Sequence, residues 1–391
     1  MSLLDGINSE ESDLPVEDNT IIIGAGPAGL AVGACLKKAG SSFLILEKSD
    51  KVGSSWRQHY DRLHLHTDKS HSTLPFMDFP RDWPRYISRV QLIEYLEAYA
   101  QKFQLEPKFG QQVKNVQHLD GIWQVKTPGA TYQARNLVVA TGYPRQPHLP
   151  AWPGQDSFQG DILHSAAYKN GTPYKNKNVL VVGFGNSGGE IAVDLWEHGA
   201  RPGLAVRSPV NVIPRELLGI PILTIGIAQR KLPPRLADMI NGPILRVVMG
   251  DLSRYGLPKL PHGPITQIEE DARIPLIDVG TIQRIKDGHI RVHPGIEEFN
   301  GNAIVFTDGT QADFDAVILA TGYRPRVSDF LEGLPDAYDD EGTPLSSGRE
   351  TVIPGLYFCG FYVSPTGMLR EIAIEAQQIS TDIANRSGLK L

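Results

Sequence analysis

The chain has 391 residues, too many for one ordinary core and enough for two or more domains able to enclose a large cofactor. A hydrophobic fraction of 41% and a charged fraction of 21% exclude a disordered or collagen-like chain. A formal charge of -6, with the two signs interspersed, gives no basis for nucleic acid or an anionic membrane as partner and leaves small ligands as the expected ones.

Residues 1–19 are acidic and polar, with neither the basic start nor the apolar stretch of a secretory signal, and are expected to form a loose tail on a cytoplasmic protein. From Thr20 to Glu47 the order is apolar run, GAGPAG, LAVGACLKKAG and a second apolar run, the pattern of a strand, glycine turn, helix and strand. Gly24, Gly26 and Gly29 keep the G-x-G-x-x-G spacing in that setting, with Pro27 and Ala28 opening the helix. Gly24 suits the tight turn, Gly26 the approach of a pyrophosphate, and Gly29 close packing of helix on strand; the helix start supplies amides and a positive dipole. Glu47, ending the second strand, is placed to accept from ribose hydroxyls.

A second unit of the same order spans Asn178 to Arg207, with Gly183, Gly185 and Gly188 in the same spacing around Asn186 and Ser187. Its second strand ends in Arg207-Ser208 where a carboxylate would favour NAD; arginine there can pair with the 2′-phosphate of NADPH, although a solvated surface arginine also satisfies the pattern. One site for a bound redox cofactor and one for a diffusible hydride donor is the economical reading.

Two segments echo each other, LVVATGYPR at 137–145 and VILATGYRPR at 317–326, each a strand running into Ala140-Thr141-Gly142 or Ala320-Thr321-Gly322. They are expected to be hinges between two Rossmann-like dinucleotide-binding domains in an α/β, glutathione-reductase-like architecture, the second inserted into the first. The expected division is an FAD-binding domain of residues 20–172 and 320–391 and an NADPH-binding domain of residues 173–319. Within the latter, the proline-rich stretch 214–264, with helical patches RLADMI and ILRVVM, is an irregular excursion that could equally wall a substrate site or fill a packing gap. Leu276 to Phe314 is expected to form small antiparallel strands with turns at Asp287-Gly288 and Asp308-Gly309. The longest apolar patch, GIPILTIGIA, is too short for a membrane span and is broken by Pro221. Cys35 and Cys359 stand apart in apolar segments, which argues against a dithiol pair or a structural zinc.

Between the glycine loops, Phe158, Gly160, His164 and Tyr168 space out F-x-G-x-x-x-H-x-x-x-Y. This fingerprint resembles that of the flavin-containing monooxygenases. VGSSWRQHYDRLHLHT, LPFMDFPRDWPRYISRVQLIEYLEAYA, GFGNSGGEIAVDL, VRSPVNVIPRE and IPLIDVGTIQRIKDGHIRV are most similar to the plant YUCCA branch, whose members oxidatively decarboxylate indole-3-pyruvate. Two departures stand out: His66 occupies a position where animal members carry asparagine, and the segment at 355–380 lacks the Arg-Arg-Gly of plant members.

The resemblance implies an FAD-dependent, NADPH-consuming monooxygenase that activates O2 as a C4a-(hydro)peroxyflavin. Its substrate would be a small organic molecule: an aryl 2-oxo acid, or an amine, sulfide or ketone. It places Lys48, Gly53, Ser55, Trp56, Arg57, His66 and Val113 with the first loop at FAD, and the two Ala-Thr-Gly segments beside the cofactors. His66, Asn186 and His164 are the candidate catalytic side chains, His164 more for positioning than for chemistry. Trp56 is equally compatible with core packing, Lys48 and Arg57 with solvated charge, and Arg370 is a weak candidate for a substrate carboxylate. A homodimer is compatible with all of this.

Overall fold

A computed structural model describes residues 19–388 apart from Pro144. In chain order the elements that build the site are β1 (Thr20–Ile23), α1 (Pro27–Lys38), β2 (Phe43–Leu46), α2 (Arg89–Lys102), β3 (Asn136–Val139), β4 (Asp161–His164), β5 (Asn178–Val182), α3 (Asn186–Glu197), β6 (Arg201–Ala205), α4 (Pro234–Met249), β7 (Arg291–His293), β8 (Ala316–Leu319), β9 (Leu356–Phe358) and α5 (Met368–Arg386).

They form two parallel sheets, with strand order β2-β1-β3-β9 in the first and β7-β6-β5-β8-β4 in the second. The fold is thus α/β with parallel sheets. Strands β1, β3, β5 and β8 are wholly buried, or nearly so, because each sheet is covered on both faces, by helices on one and by a three-stranded antiparallel sheet on the other. On one side of the first sheet α1 packs along α5, and Leu30, Leu36, Leu92, Tyr95, Ile379 and Ile383 share one core. α2 begins with a capping box in which the Ser88 hydroxyl accepts from the Gln91 N–H and the Gln91 side chain accepts from the Ser88 N–H.

The two Ala-Thr-Gly segments play matching parts. Each closes a strand at a sheet centre, β3 or β8, and beyond them Gln146–Pro147 and Tyr323–Arg324 pair antiparallel as the ribbon between the sheets. Each is preceded by a three-stranded antiparallel sheet, built from Asn115–Leu119, Ile122–Lys126 and Thr131–Ala134 or from Ile296–Asn300, Ala303–Phe306 and Gln311–Asp313.

Two sequence expectations need correction. Leu276 to Phe314 is not uniformly antiparallel: Leu276–Asp278 pairs parallel with Val212–Pro214, β7 pairs parallel with β6, and Thr281–Lys286 is helical. Asp287-Gly288 therefore ends a helix, whereas the Asp308-Gly309 turn stands. Short β-like runs do not reveal their partner strand, and here distant strands supply it. The helical patches of the excursion also merge into one helix, α4, which contains Pro243.

Candidate cofactor and active site

Glycine turns at the ends of β1 and β5 are superposable in their chemistry. Gly24 has φ +110° and Gly183 φ +112°, conformations that L side chains rarely adopt. An added Cβ at Gly24 would lie 2.6 Å from the Ala140 carbonyl oxygen, and at Gly183 it would lie 2.5 Å from that of Ala320. The Ala-Thr-Gly segments therefore floor the two turns. At Gly29 a Cβ would meet the Gly24 oxygen at 1.8 Å, and at Gly188 the Gly183 oxygen at 2.0 Å, so both glycines are required for helix to lie on strand. Gly26 and Gly185 differ in kind: each has a negative φ, caps its helix without a side-chain bond, and has nothing within 4 Å of an added Cβ. Open space at the start of a helix whose first amides lack partners fits a pyrophosphate. Pro27 occupies the first turn of α1, where its missing N–H costs nothing, and Ala28 is buried behind it.

Glu47 is buried, with Oε2 accepting from the Ala25 N–H at 2.7 Å and Oε1 from the Ser49 N–H and hydroxyl at 2.9 and 2.8 Å. It thereby ties the end of β2 to the glycine turn. Gly53 donates its N–H to the Ala25 carbonyl and adopts φ +65°. Trp56 packs on the core shared by α1, α2 and α5, Arg57 is engaged by Glu97 and the Val52 carbonyl, and Val113 packs on the core behind β1 and β3. Lys48 and Ser55 are exposed. Ala140 is buried, the Thr141 hydroxyl is buried without a partner, and Gly142 has φ +78°.

On the second loop, the Asn186 side chain is turned toward residues 275–277: its Oδ1 accepts from the Ile277 N–H at 2.7 Å and its Nδ2 faces the Pro275 carbonyl at 3.4 Å. It anchors the start of α3 to residues 275–277. Ser187 and Ser208 are half-buried, and Arg207 is exposed, its stem passing over Gly295. Arg273 is exposed, donates from Nη1 to the Pro209 carbonyl at 3.3 Å, and lies close enough to feel the Arg207 charge. Ala320 donates to the Val182 carbonyl, the Thr321 hydroxyl to the His148 carbonyl at 2.5 Å, and Gly322 has φ +86°.

His164 ties the end of β4 to the segment that leaves β8 for the linking ribbon. Its Nδ1 accepts from the Ala166 N–H, so Nε2 carries the proton and donates to the Gly322 carbonyl at 3.1 Å. Burial lowers its pKa, which keeps it neutral in that tautomer. The rest of the fingerprint is structural: Phe158 packs edge-on against Phe299, a Cβ on Gly160 would strike the Asp315 carbonyl at 2.2 Å, and the Tyr168 hydroxyl donates to buried Asp194 at 2.5 Å.

His66 lies at the junction. Its Nε2 is 2.8 Å from Oε1 of Glu190, and its neighbour Thr67 lies against Gly367, which opens α5. The helix Ile222–Gln229 of the excursion covers this junction: Leu223 meets Gly367, a Cβ on Gly226 would be 3.0 Å from the Pro365 carbonyl, and Thr224 faces His71 at 3.2 Å. Arg370 is held by Glu371 and Thr366. Both cysteines are buried and unpaired, with thiol pKa values pushed up by burial. A recess of about 590 Å³ beside Ser41, His118 and Arg135 lies at the opposite end of the first sheet and plays no part here.

Sequence reasoning missed Glu190, Tyr60, Asp194 and Arg273. The first and third left a trace, since Glu190 and Asp194 are the two carboxylates, four apart, in the otherwise apolar helix EIAVDL. Tyr60 and Arg273 left none, because only the fold brings them to the second loop.

A glycine turn that opens at a helix start, present twice on parallel sheets, is the arrangement of an α/β protein able to cradle nucleotide phosphates. The family model described as pyridine nucleotide-disulphide oxidoreductase matches residues 21–213. The chain is 38% identical to the probable indole-3-pyruvate monooxygenase YUCCA3 of Arabidopsis thaliana, over 94% of this chain and 86% of that one. Among solved structures it resembles a flavin-containing monooxygenase from Stenotrophomonas maltophilia (TM-score 0.71, 23% identity, 95% of this chain and 99% of that one). It also resembles a cyclohexanone monooxygenase from Rhodococcus sp. Phi1 bound to NADP+ (TM-score 0.72, 19% identity, 95% and 85%). The chain belongs to the YUCCA family of flavin-dependent monooxygenases. It is an oxidoreductase using a flavin and a nicotinamide cofactor, and among the described residues no helix is long and apolar enough to cross a membrane.

Proposed function

We propose that the first glycine turn holds FAD and the second NADPH, on two Rossmann-like units of which the second is inserted into the first, and that the enzyme oxygenates an aryl 2-oxo acid such as indole-3-pyruvate. The observation that carries the cofactor assignment is the contrast after the duplicated turns: the carboxylate of Glu47 follows one and the exposed guanidinium of Arg207 follows the other, with Arg273 of a distant segment near enough to add its charge. A carboxylate suits ribose hydroxyls and repels a 2′-phosphate; two guanidiniums attract it.

When bound, the reduced flavin supplies the two electrons that let one atom of O2 enter the substrate while the other leaves as water. For a 2-oxo acid the products are the shortened carboxylate and carbon dioxide, with NADPH and one proton consumed. The chain's own residues bind and shield. Gly26 and Gly185 admit the pyrophosphates, the buried Thr141 hydroxyl offers an unused polar group beside the first turn, and His164 braces the end of β4 against the start of the linking ribbon at Gly322. The helix Ile222–Gln229 excludes water above His66 and the start of α5, which makes the excursion a substrate wall. Engaged by Glu371, Arg370 is a poor receptor for a substrate carboxylate. Asn186 positions α3 and takes no proton.

A product screen of the purified holoenzyme with NADPH and O2 against indole-3-pyruvate, phenylpyruvate, a cyclic ketone, trimethylamine and a thioether tests this. The expected result is carbon dioxide and the shortened acid in equal amounts from one of the 2-oxo acids. Turnover of trimethylamine or the thioether alone replaces the substrate assignment. Hydrogen peroxide as sole product, with every substrate present, removes the oxygenation.

A further inference from the structure

Glu190 is the residue directly after the glycine pair of the second loop, one turn into α3, and its carboxylate is 4% exposed. A buried carboxylate is costly unless its lone pairs are met. Here each oxygen is met by a different side chain of the 52–67 segment. The Tyr60 hydroxyl donates to Oε2 at 2.6 Å, and His66 Nε2 stands 2.8 Å from Oε1.

The surroundings connect this bond pair to both cofactor turns. The Tyr60 phenol is buried and also faced by Ser187 of the second loop and by Tyr323; its pKa is pushed well above the usual value by burial and then by Glu190, so it remains a donor. Its ring packs edge-on against Tyr168, whose hydroxyl is held by Asp194 one turn further along α3. At the other end, Thr67 touches Gly367 at the start of α5. One helix thus grips the segment that reaches the flavin-side helix directly through Glu190, and backs it through Asp194, which holds the Tyr168 ring against Tyr60.

We propose that Glu190 is a positioning residue. An ionised carboxylate only accepts, so it holds His66 with the proton on Nε2 and leaves Nδ1 as the atom open to a ligand. Because the same carboxylate holds Tyr60, segment 59–67 and the start of α3 move as one body, and nicotinamide binding on α3 and placement of His66 become a single event. The coupling rests on the reading that the second turn holds NADP(H); the tautomer does not.

The test uses holoenzyme with 15N-labelled histidine, and titration with NADP+, neither of which requires a substrate. Wild-type His66 is expected to show the Nε2–H form. Glu190→Leu should mix the tautomers and raise the Kd for NADP+ about tenfold, the weight of a buried hydrogen bond to a charged group. Glu190→Gln, with one acceptor oxygen where wild type has two, can keep only one of the two contacts and should fall between wild type and Glu190→Leu. If the leucine variant does not fold, Tyr60→Phe decides: it should keep the tautomer while weakening NADP+ several-fold. A wild-type Nδ1–H form overturns the proposal, as does NADP+ affinity unchanged in Glu190→Leu or, where that variant does not fold, in Tyr60→Phe. Failure of wild type to bind NADP+ removes the cofactor assignment, and the tautomer then still reports on Glu190.

Discussion

At the scale of single residues the two kinds of loop glycine separate sharply. Gly29→Ala forces a Cβ to 1.8 Å from a backbone oxygen, whereas Gly26→Ala adds one into open space at a permitted φ. Gly29→Ala should therefore lower the melting temperature of flavin-free protein, while Gly26→Ala should leave it within a degree or two and instead lower flavin content on purification. A flavin-free Gly26→Ala protein as unstable as Gly29→Ala would mean that the space is not a cofactor cradle. Arg207 carries a different kind of information, since exposure leaves its guanidinium free for a ligand. Arg207→Ala should raise KM for NADPH by roughly tenfold or more and barely change that for NADH, because a charge-assisted bond to phosphate is lost. Equal effects on both would remove the 2′-phosphate contact.

Among elements, α5 stores a titratable group in its buried face. Glu375 accepts from the Gly360 N–H at 2.6 Å through Oε2, its Oε1 is buried without a partner, and its pKa is raised from 4.5 to about 7, chiefly by burial. A carboxyl with a raised folded-state pKa favours the native state fully at pH below 4.5, and that contribution is lost as pH climbs to about 7. Thermal melts from pH 4.5 to 7 should show wild type losing stability relative to Glu375→Gln, by about 3 kcal/mol at most. Parallel profiles for the two proteins would show that the group is not buried as protonated acid. β4 teaches a separate lesson. His164 ends it in the motif that distinguishes this chain from a generic two-nucleotide protein, yet its bonds run to backbone atoms at Ala166 and Gly322, which is the work of a brace.

For the molecule as a whole, the two parallel sheets joined by the Gln146–Pro147 and Tyr323–Arg324 ribbon set the glycine turns in one body. Ligands that bind only the folded state raise its stability by mass action. Saturating NADP+ should thus raise the melting temperature of holoenzyme, and Gly185→Ala, which adds a methyl group into open space, should abolish that increment while leaving flavin content unchanged. Loss of flavin in that variant would mean that the two turns do not serve separate ligands. The covering helix Ile222–Gln229 belongs to this scale too, because its contacts reach Gly367, Pro365 and His71, far from it in sequence.

The local features were legible in the sequence because their causes are local. A glycine spacing between strand and helix fixes a turn through backbone φ and the absence of a Cβ, and no distant residue is needed to recognise it. The alternation of apolar runs likewise announced β1, β5 and their helices. Tertiary structure alone decided that Ala140 and Ala320 floor the turns, that Asn186 and Arg370 are spent on internal bonds, that Leu276–Asp278 and β7 join parallel partners, and that Glu190 grips Tyr60 and His66. Each of these pairs atoms from segments that only the fold brings together. Polar groups buried by folding must find partners wherever the chain places them, and sequence spacing carries no record of that choice.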